Sequence, residues 1–336
     1  MLGKLLSSYS SYAGRGKSIC EILAIEDPES LAKRISNYGY ISSSELATAI
    51  FLAITLQKPL LLEGDAGVGK TEVAKVLAQM LGTVLIRLQC YEGIDVSQAL
   101  YEWNYSKQLL HLRSLEVAKQ SASSTNIDKL ENELYSDTYL IRRALLRALD
   151  PVAAGDKLPE VDGFTLPAVL LIDELDRADD EFEAFLLEVL SDYAVTIPEL
   201  GTISAKIPPV VIITSNRTRD LHDALKRRCL YHWVDHPSPD LALSILMLRV
   251  PDADYFLADQ VARLTQTIRD LDLYKPPGIS ESIDWLRALM ALDVSELTGS
   301  EIKRSVASIL KYREDVEKVI ASDFDELLQS RKPNPD

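Results

Sequence analysis

A chain of 336 residues, 47% apolar and 26% charged, has room for two packed domains and the composition of a globular protein. Its 36 Lys and Arg against 51 Asp and Glu leave a net charge of −15, which argues against a main task of gripping nucleic acid. No apolar run approaches the roughly 18–20 residues of a spanning helix, so no integral membrane segment is expected; three scattered cysteines without a C-x-x-C pair exclude a disulfide scaffold and fit a reducing, cytoplasmic compartment.

Residues 1–20 are rich in Ser and Tyr, carry Lys4, Arg15 and Lys17, and hold no acid. They lack the amphipathic or apolar stretch of a targeting segment, so residues 1–34 read as a flexible tail and linker. From Ile41 the pattern changes. Leu46, Ala49, Ile50, Ala53 and Ile54 recur at helical spacing behind Ser42, Ser43 and Ser44, which are candidate N-caps. Residues 60–63 read as a short buried strand, 70–81 as a helix and 84–88 as a strand. Residues 106–149 read as mostly polar and helical, broken at 121–126. The run 168–172 is a second apolar strand, followed by a helix with Phe182, Phe185, Leu186, Val189 and Leu190 on one face. Residues 195–205 have a hairpin pattern around Pro198–Gly201. Val210–Thr214 and Leu230–Val234 are further apolar strands, and beyond Pro237 only helical patterns follow. Apolar strands alternating with helices predict an α/β core with a parallel sheet covered on both faces, residues 35–236, and a helical domain, residues 237–336.

Residues 64–71, Gly64-Asp65-Ala66-Gly67-Val68-Gly69-Lys70-Thr71, spell G-x-x-x-x-G-K-[ST] between a strand and a helix. Glycines let the backbone wrap a phosphate with successive N–H groups, and the helix N-terminus adds positive charge. Lys70 is placed to reach the β- and γ-phosphates of ATP, and Thr71 to offer its hydroxyl to Mg²⁺. Asp173, after strand 168–172, is the expected second Mg²⁺ ligand, and Glu174 is placed to polarise the attacking water. Asn216, at the tip of strand 210–214, is a candidate for orienting that water, and Ile41 is assigned to the nucleotide site with the phosphate loop. Lys226, Arg227 and Arg228 close a short helix; one of these arginines is a candidate for stabilising transition-state charge.

The order of these motifs resembles the AAA+ ATPases, and within them the MoxR family. The stretches Arg87–Val96, Tyr101–Tyr105 and Lys226–Asp235 look like its CoxD-type branch, and the resemblance spans roughly residues 35–315. It implies a P-loop αβα sandwich with a five-stranded parallel sheet in the order 5-1-4-3-2, a C-terminal helical lid, and a homo-oligomeric ring, usually a hexamer, with ATP between subunits. By position, 64–71 is Walker A, Asp173-Glu174 Walker B and Asn216 sensor 1. Arg228 matches the arginine finger that acts on the neighbouring subunit, with Arg227 as its helper. Residues 95–134 fall where the family carries a helix-two insert, and 195–205 where it carries a hairpin before sensor 1. Ser282 stands where the family has its sensor 2 arginine, leaving Lys275 and Arg287 as alternative lid cations. The resemblance further implies a maturation chaperone for a metalloenzyme, such as a molybdenum hydroxylase of the carbon monoxide dehydrogenase type, acting with a von Willebrand A domain partner. The rivals are a DNA-acting AAA+ motor, disfavoured by the net charge, and a monomeric P-loop kinase, which needs neither Asn216 nor a finger from a second subunit. Tyr101, Trp103 and Tyr105 read as one packed face of an extended segment, and the spacing of His232 and His236 on a strand is too wide for one metal ion.

Overall fold

The computed structural model describes residues 18–119 and 133–322. In chain order the elements that build the site are α1 (Pro28–Ser36), α2 (Ser44–Leu56), β1 (Leu60–Glu63), α3 (Lys70–Leu81), β2 (Leu85–Gln89), β3 (Val169–Asp173), α4 (Asp180–Asp192), β4 (Val210–Ser215), α5 (Asp223–Arg228) and β5 (Leu230–Trp233). The helical domain follows with α6 (Pro239–Arg249), α7 (Tyr255–Arg269) and α8 (Ile279–Ala291). The five strands form one parallel sheet in the order β5-β1-β4-β3-β2, the 5-1-4-3-2 order of the αβα sandwich.

The central strands β3 and β4 are buried along their whole length because both faces are covered, whereas the edge strands β2 and β5 carry exposed polar residues, Arg87 and Tyr231 among them. Along β3, Val169 and Leu171 join the core that holds α3, whereas Leu170 and Ile172 join the core that holds α4. Side chains alternate across a strand, so β1, β2, β3 and β4 each feed both cores. The helical domain has a core of its own around Trp285, fully buried, whose indole N–H donates to Ser305 Oγ at 2.8 Å.

Three readings need correction. Residues 18–34 do not form a tail or linker: Ile19–Ile22 and α1 are helices, capped by Ser18 and Asp27. Cys20, Ile25, Leu31 and Ile35 are buried in the core beside α2 and α3. Ile19–Ile22 is too short to show a period, whereas α1 carries its own signals, an Asp27 N-cap before Pro28 with Leu31 and Ile35 one turn apart, and burial supplies the stability of both. The rest of the expected tail, residues 1–17, lies outside the described residues. Second, the stretch 106–149 is not simply helical. Tyr105–Lys119 is a helix, but Tyr101–Trp103 and Leu140–Arg142 pair as an antiparallel ladder, with Ala144–Leu149 a short helix beyond. A long-range pairing of three residues leaves almost no local signal; the expected break at 121–126 lies outside the described residues. Third, the three aromatics do not share a face. Trp103 is buried and meets Tyr101 edge-on at 6.1 Å, while Tyr105 has passed onto the helix and is exposed.

Ala194–Ile197 and Gly201–Ser204 form an antiparallel hairpin directly before β4. Among the described residues no helix is long and apolar enough to cross a membrane.

Candidate functional site

A cavity of about 650 Å³ opens at the carboxyl ends of β1, β3 and β4, under the helical domain. Ligands of open parallel sheets bind at this end. Its polar end is made by the loop 66–71 and by Asp173, Glu174, Thr214 and Asn216. Its apolar side is made by Ile41, Val234, Pro237, Leu241, Ile245 and Ile283.

The loop owes its shape to its glycines. Gly67 and Gly69 have φ of +83° and +97°, a region that favours glycine, and Gly69 turns the chain directly into α3. Lys70 is buried, and its Nζ donates to the carbonyls of Gly64 and Asp65, both at 2.7 Å. Burial pushes the ammonium below its ordinary pKa, against the opposing pull of Asp65, Asp176, Asp173 and Glu174. Of the loop residues assigned to nucleotide, Ala66 to Thr71 line the cavity, as does Ile41. Gly64 and Asp65 do not: Gly64 packs under the Val234 carbonyl, and Asp65 pairs with His236 Nε2 at 3.2 Å.

The sheet order places β4 between β1 and β3, and so brings Thr214 beside Asp173. Thr214 donates its hydroxyl to Asp173 Oδ1 at 2.6 Å and accepts the Glu174 N–H at 2.9 Å. Thr71, 102 positions away in the chain, donates to the same Oδ1 at 3.0 Å. A carboxylate and a threonine hydroxyl side by side are the hard oxygen donors that Mg²⁺ takes, so the residues present fit that ion. Arg87, on β2, donates from Nε and Nη2 to Asp173 Oδ2 at 3.0 and 2.5 Å. Glu174 sits at φ 55°, ψ 50°, a left-handed conformation uncommon outside glycine, which swings its side chain off the strand. Its Oε2 accepts from Gln89 Nε2 at 3.2 Å and Arg177 Nη1 at 3.0 Å. Asn216 lines the cavity, and its backbone N–H donates to the buried Asp176 at 3.1 Å. Asp176 also holds Thr218 through N–H and hydroxyl, at 2.8 and 2.7 Å, which ties the turn after β4 to the end of β3.

Residues 59–229 match the family model described as AAA domain (dynein-related subfamily). The chain belongs to this family. An uncharacterized protein of Staphylococcus haemolyticus is 24% identical to this AAA chain over 279 residues, 80% of this chain and 89% of that protein. An uncharacterized protein of Staphylococcus aureus is 23% identical over 259 residues, covering 75% and 82%. Among solved structures, a Thermotoga maritima RuvB variant aligns with 93% of this chain and 78% of its own at 16% identity and a TM-score of 0.44.

Within the AAA chain, Arg227 and Arg228 stand apart from the cavity. They are exposed at the end of α5, and their side chains make no hydrogen bond or ion pair among the described residues. Neither alternative lid cation lines the cavity. Lys275 is held by its backbone N–H on Asp315 at 3.0 Å, and Arg287 donates to the Arg249 carbonyl at 3.4 Å. Ser282 is fully buried and donates to the Gly278 carbonyl at 3.0 Å.

Among the residues of the site that sequence reasoning missed are Arg87, Gln89, Thr214, Asp176 and Arg249. Arg249, at the end of α6, lines the cavity and reaches Glu72 on α3 at 3.1 Å. Its sequence signal is the spacing Leu241, Ile245, Arg249, one helix face that all three cavity-lining residues share. Thr214 could be suspected as the polar residue ending an apolar strand, whereas Arg87 and Gln89 alternate on a strand that names no partner. The second missed contact is backbone against backbone: a Cβ on Gly278 would stand 2.8 Å from the carbonyl carbon and oxygen of Gly67.

Proposed function

We propose that this AAA protein hydrolyses ATP to ADP and phosphate as a subunit of a ring. The observation that carries the reading is the meeting of Lys70, Thr71, Asp173, Glu174 and Asn216 around one cavity from three separated stretches of chain. The apolar side suits a base, and the polar end suits a triphosphate. Lys70 exchanges two loop carbonyls for phosphate oxygens. Thr71 and Asp173 hold Mg²⁺, which when bound neutralises charge developing on the phosphates. Glu174 takes the proton of the attacking water, and Asn216 orients that water. Arg228, with Arg227 beside it, serves the neighbouring subunit's site, a role that its exposure and its distance from its own cavity support.

At finer grain we assign the chain to the MoxR type and its CoxD-like branch: a remodeller, usually hexameric, that matures a metalloenzyme such as a molybdenum hydroxylase with a von Willebrand A domain partner. What supports this is the resemblance of 87–96, 101–105 and 226–235.

Calorimetry tests the nucleotide reading. Lys70→Ala should abolish ATP binding, and an affinity within about twofold of wild type, less than 0.5 kcal/mol, overturns the site. The finer assignment is tested by nucleotide-dependent binding of a von Willebrand A protein encoded beside this chain; absence of binding with ATP, ADP and no nucleotide overturns it.

A further inference from the structure

Asp173 is a buried acid of the site with every oxygen engaged. Its side chain is 4% exposed, and both oxygens already have donors. Oδ1 takes two neutral hydroxyls, from Thr71 and Thr214. Oδ2 takes the Arg87 fork, with Nη2 at 2.5 Å and Nε at 3.0 Å. The two sides are chemically unlike. Hydroxyls can turn to share a carboxylate with a metal ion, and Thr71 is itself a metal-type donor. A guanidinium has no acceptor and no neutral form, so it cannot share the oxygen with a cation on favourable terms.

We propose that Arg87 is a resident counter-ion of Asp173 that competes with Mg²⁺ for the carboxylate and is released when the site is loaded. The proposal rests on the reading of the cavity as an ATP·Mg²⁺ site. Without the ion, Arg87 keeps a buried carboxylate paired, which an isolated charge there would need. With the ion, a divalent charge and a guanidinium would face each other across one carboxylate, and like charges at such range repel steeply. The Arg87 side chain is 53% exposed, so it can leave toward solvent without opening the core. It also stands on β2, the edge strand of the sheet, with one flank unpaired. The next residue on its face, Gln89, accepts from Arg87 Nη2 at 2.5 Å, a partner for the freed guanidinium. The exchange sets the concentration of divalent cation at which the site fills.

The test uses Mn²⁺ as the probe, ADP as the nucleotide and the full chain, so that no turnover is involved. Free and bound Mn²⁺ are separated by electron paramagnetic resonance in wild type, Arg87→Gln and Arg87→Lys. Arg87→Gln should lower the half-saturating Mn²⁺ concentration about two- to fivefold, the scale of one partly exposed ion pair. ADP affinity measured in EDTA should stay as in wild type. Arg87→Lys, which keeps the charge, should remain near wild type. The gap between Gln and wild type should narrow at high salt, which a packing role would not produce. Unchanged or weaker Mn²⁺ binding in Arg87→Gln, with a wild-type melting curve, overturns the proposal and leaves the nucleotide reading standing. Wild-type protein that binds no ADP overturns both.

Discussion

Two walls face each other across the cavity, and they are built differently. The core wall consists of the phosphate loop and three strand tips. Two of its charged groups, Lys70 and Asp173, are buried; Lys70 is held by carbonyls of its own loop and Asp173 by the Thr214 hydroxyl that the sheet register brings beside it. The lid wall consists of the apolar side chains Leu241, Ile245 and Ile283, one ion pair and one glycine. The ion pair, Arg249 to Glu72, has side chains 40% and 27% exposed, which places it among pairs worth about 0–1 kcal/mol. Gly278 lies so close to Gly67 that the lid leaves no room there for a Cβ. The difference teaches a division of labour. Groups that must hold a charge to within fractions of an ångström sit on the wall that cannot shift, and groups that set how tightly the pocket closes sit on the wall that can.

The contrast can be broken first from outside either wall. If Arg228 completes the next subunit's site, Arg228→Ala should leave ATP affinity nearly intact and cost about 10³–10⁵ in rate. Mixing Arg228→Ala with Lys70→Ala should restore turnover at interfaces that pair an intact loop with an intact arginine, and dilution should abolish the gain. Mixed oligomers without any gain would return the cluster 226–228 to the ordinary role of cations at a helix C-terminus. On the core wall, Glu174→Gln should bind ATP normally and turn over about 10²–10⁴-fold more slowly. A rate near wild type in steady-state assays would move the base to another residue. On the lid wall the effect should fall on affinity. Gly278 has φ −84°, open to any residue, so Gly278→Ala should leave the lid folded while its methyl group pushes against Gly67. Overpacking of this kind costs about 1–3 kcal/mol, so nucleotide affinity should drop about tenfold by calorimetry, while the protein still unfolds cooperatively with a Tm lower by a few degrees. The smallest effect belongs to the ion pair. Arg249→Gln should weaken ADP binding about two- to fivefold at low salt and less at high salt. Loss of turnover at saturating ATP would instead make Arg249 part of the chemistry and erase the contrast between the walls.

The core wall was legible for a physical reason. A phosphate loop must be contiguous, because successive backbone N–H groups do the binding, so 64–71 carries its whole signature in eight residues. Asp173-Glu174 was legible because a phosphate loop needs a carboxylate for Mg²⁺ at the end of a neighbouring strand, and the apolar run 168–172 ends in one. Arg87 and Thr214 were not, since nothing local says that β2 and β4 flank β3. The lid wall was hardest to read: the family position for a sensor 2 arginine holds Ser282, which turns inward to the lid core, while Arg249 reaches the cavity from a different helix. Of the N-terminal helices, Ile19–Ile22 is too short for periodicity, while α1 had local signals in Asp27-Pro28 and in Leu31 and Ile35 that a reading of the stretch as linker overlooked.

What the sequence determined by itself was everything that local chemistry and strand-by-strand hydrophobicity encode: a parallel αβα core, a helical C-terminal domain, a phosphate loop at the head of α3, and an acidic strand tip to match it. What only the tertiary structure decided was adjacency. Which hydroxyl and which cation meet Asp173, which lid helix lends a charge to the cavity, and where two glycine backbones touch all depend on packing between segments tens to hundreds of residues apart. Hydrophobic burial drives that packing but is non-directional, so a pattern of apolar residues predicts that elements will be covered without naming which polar neighbours the covering brings together.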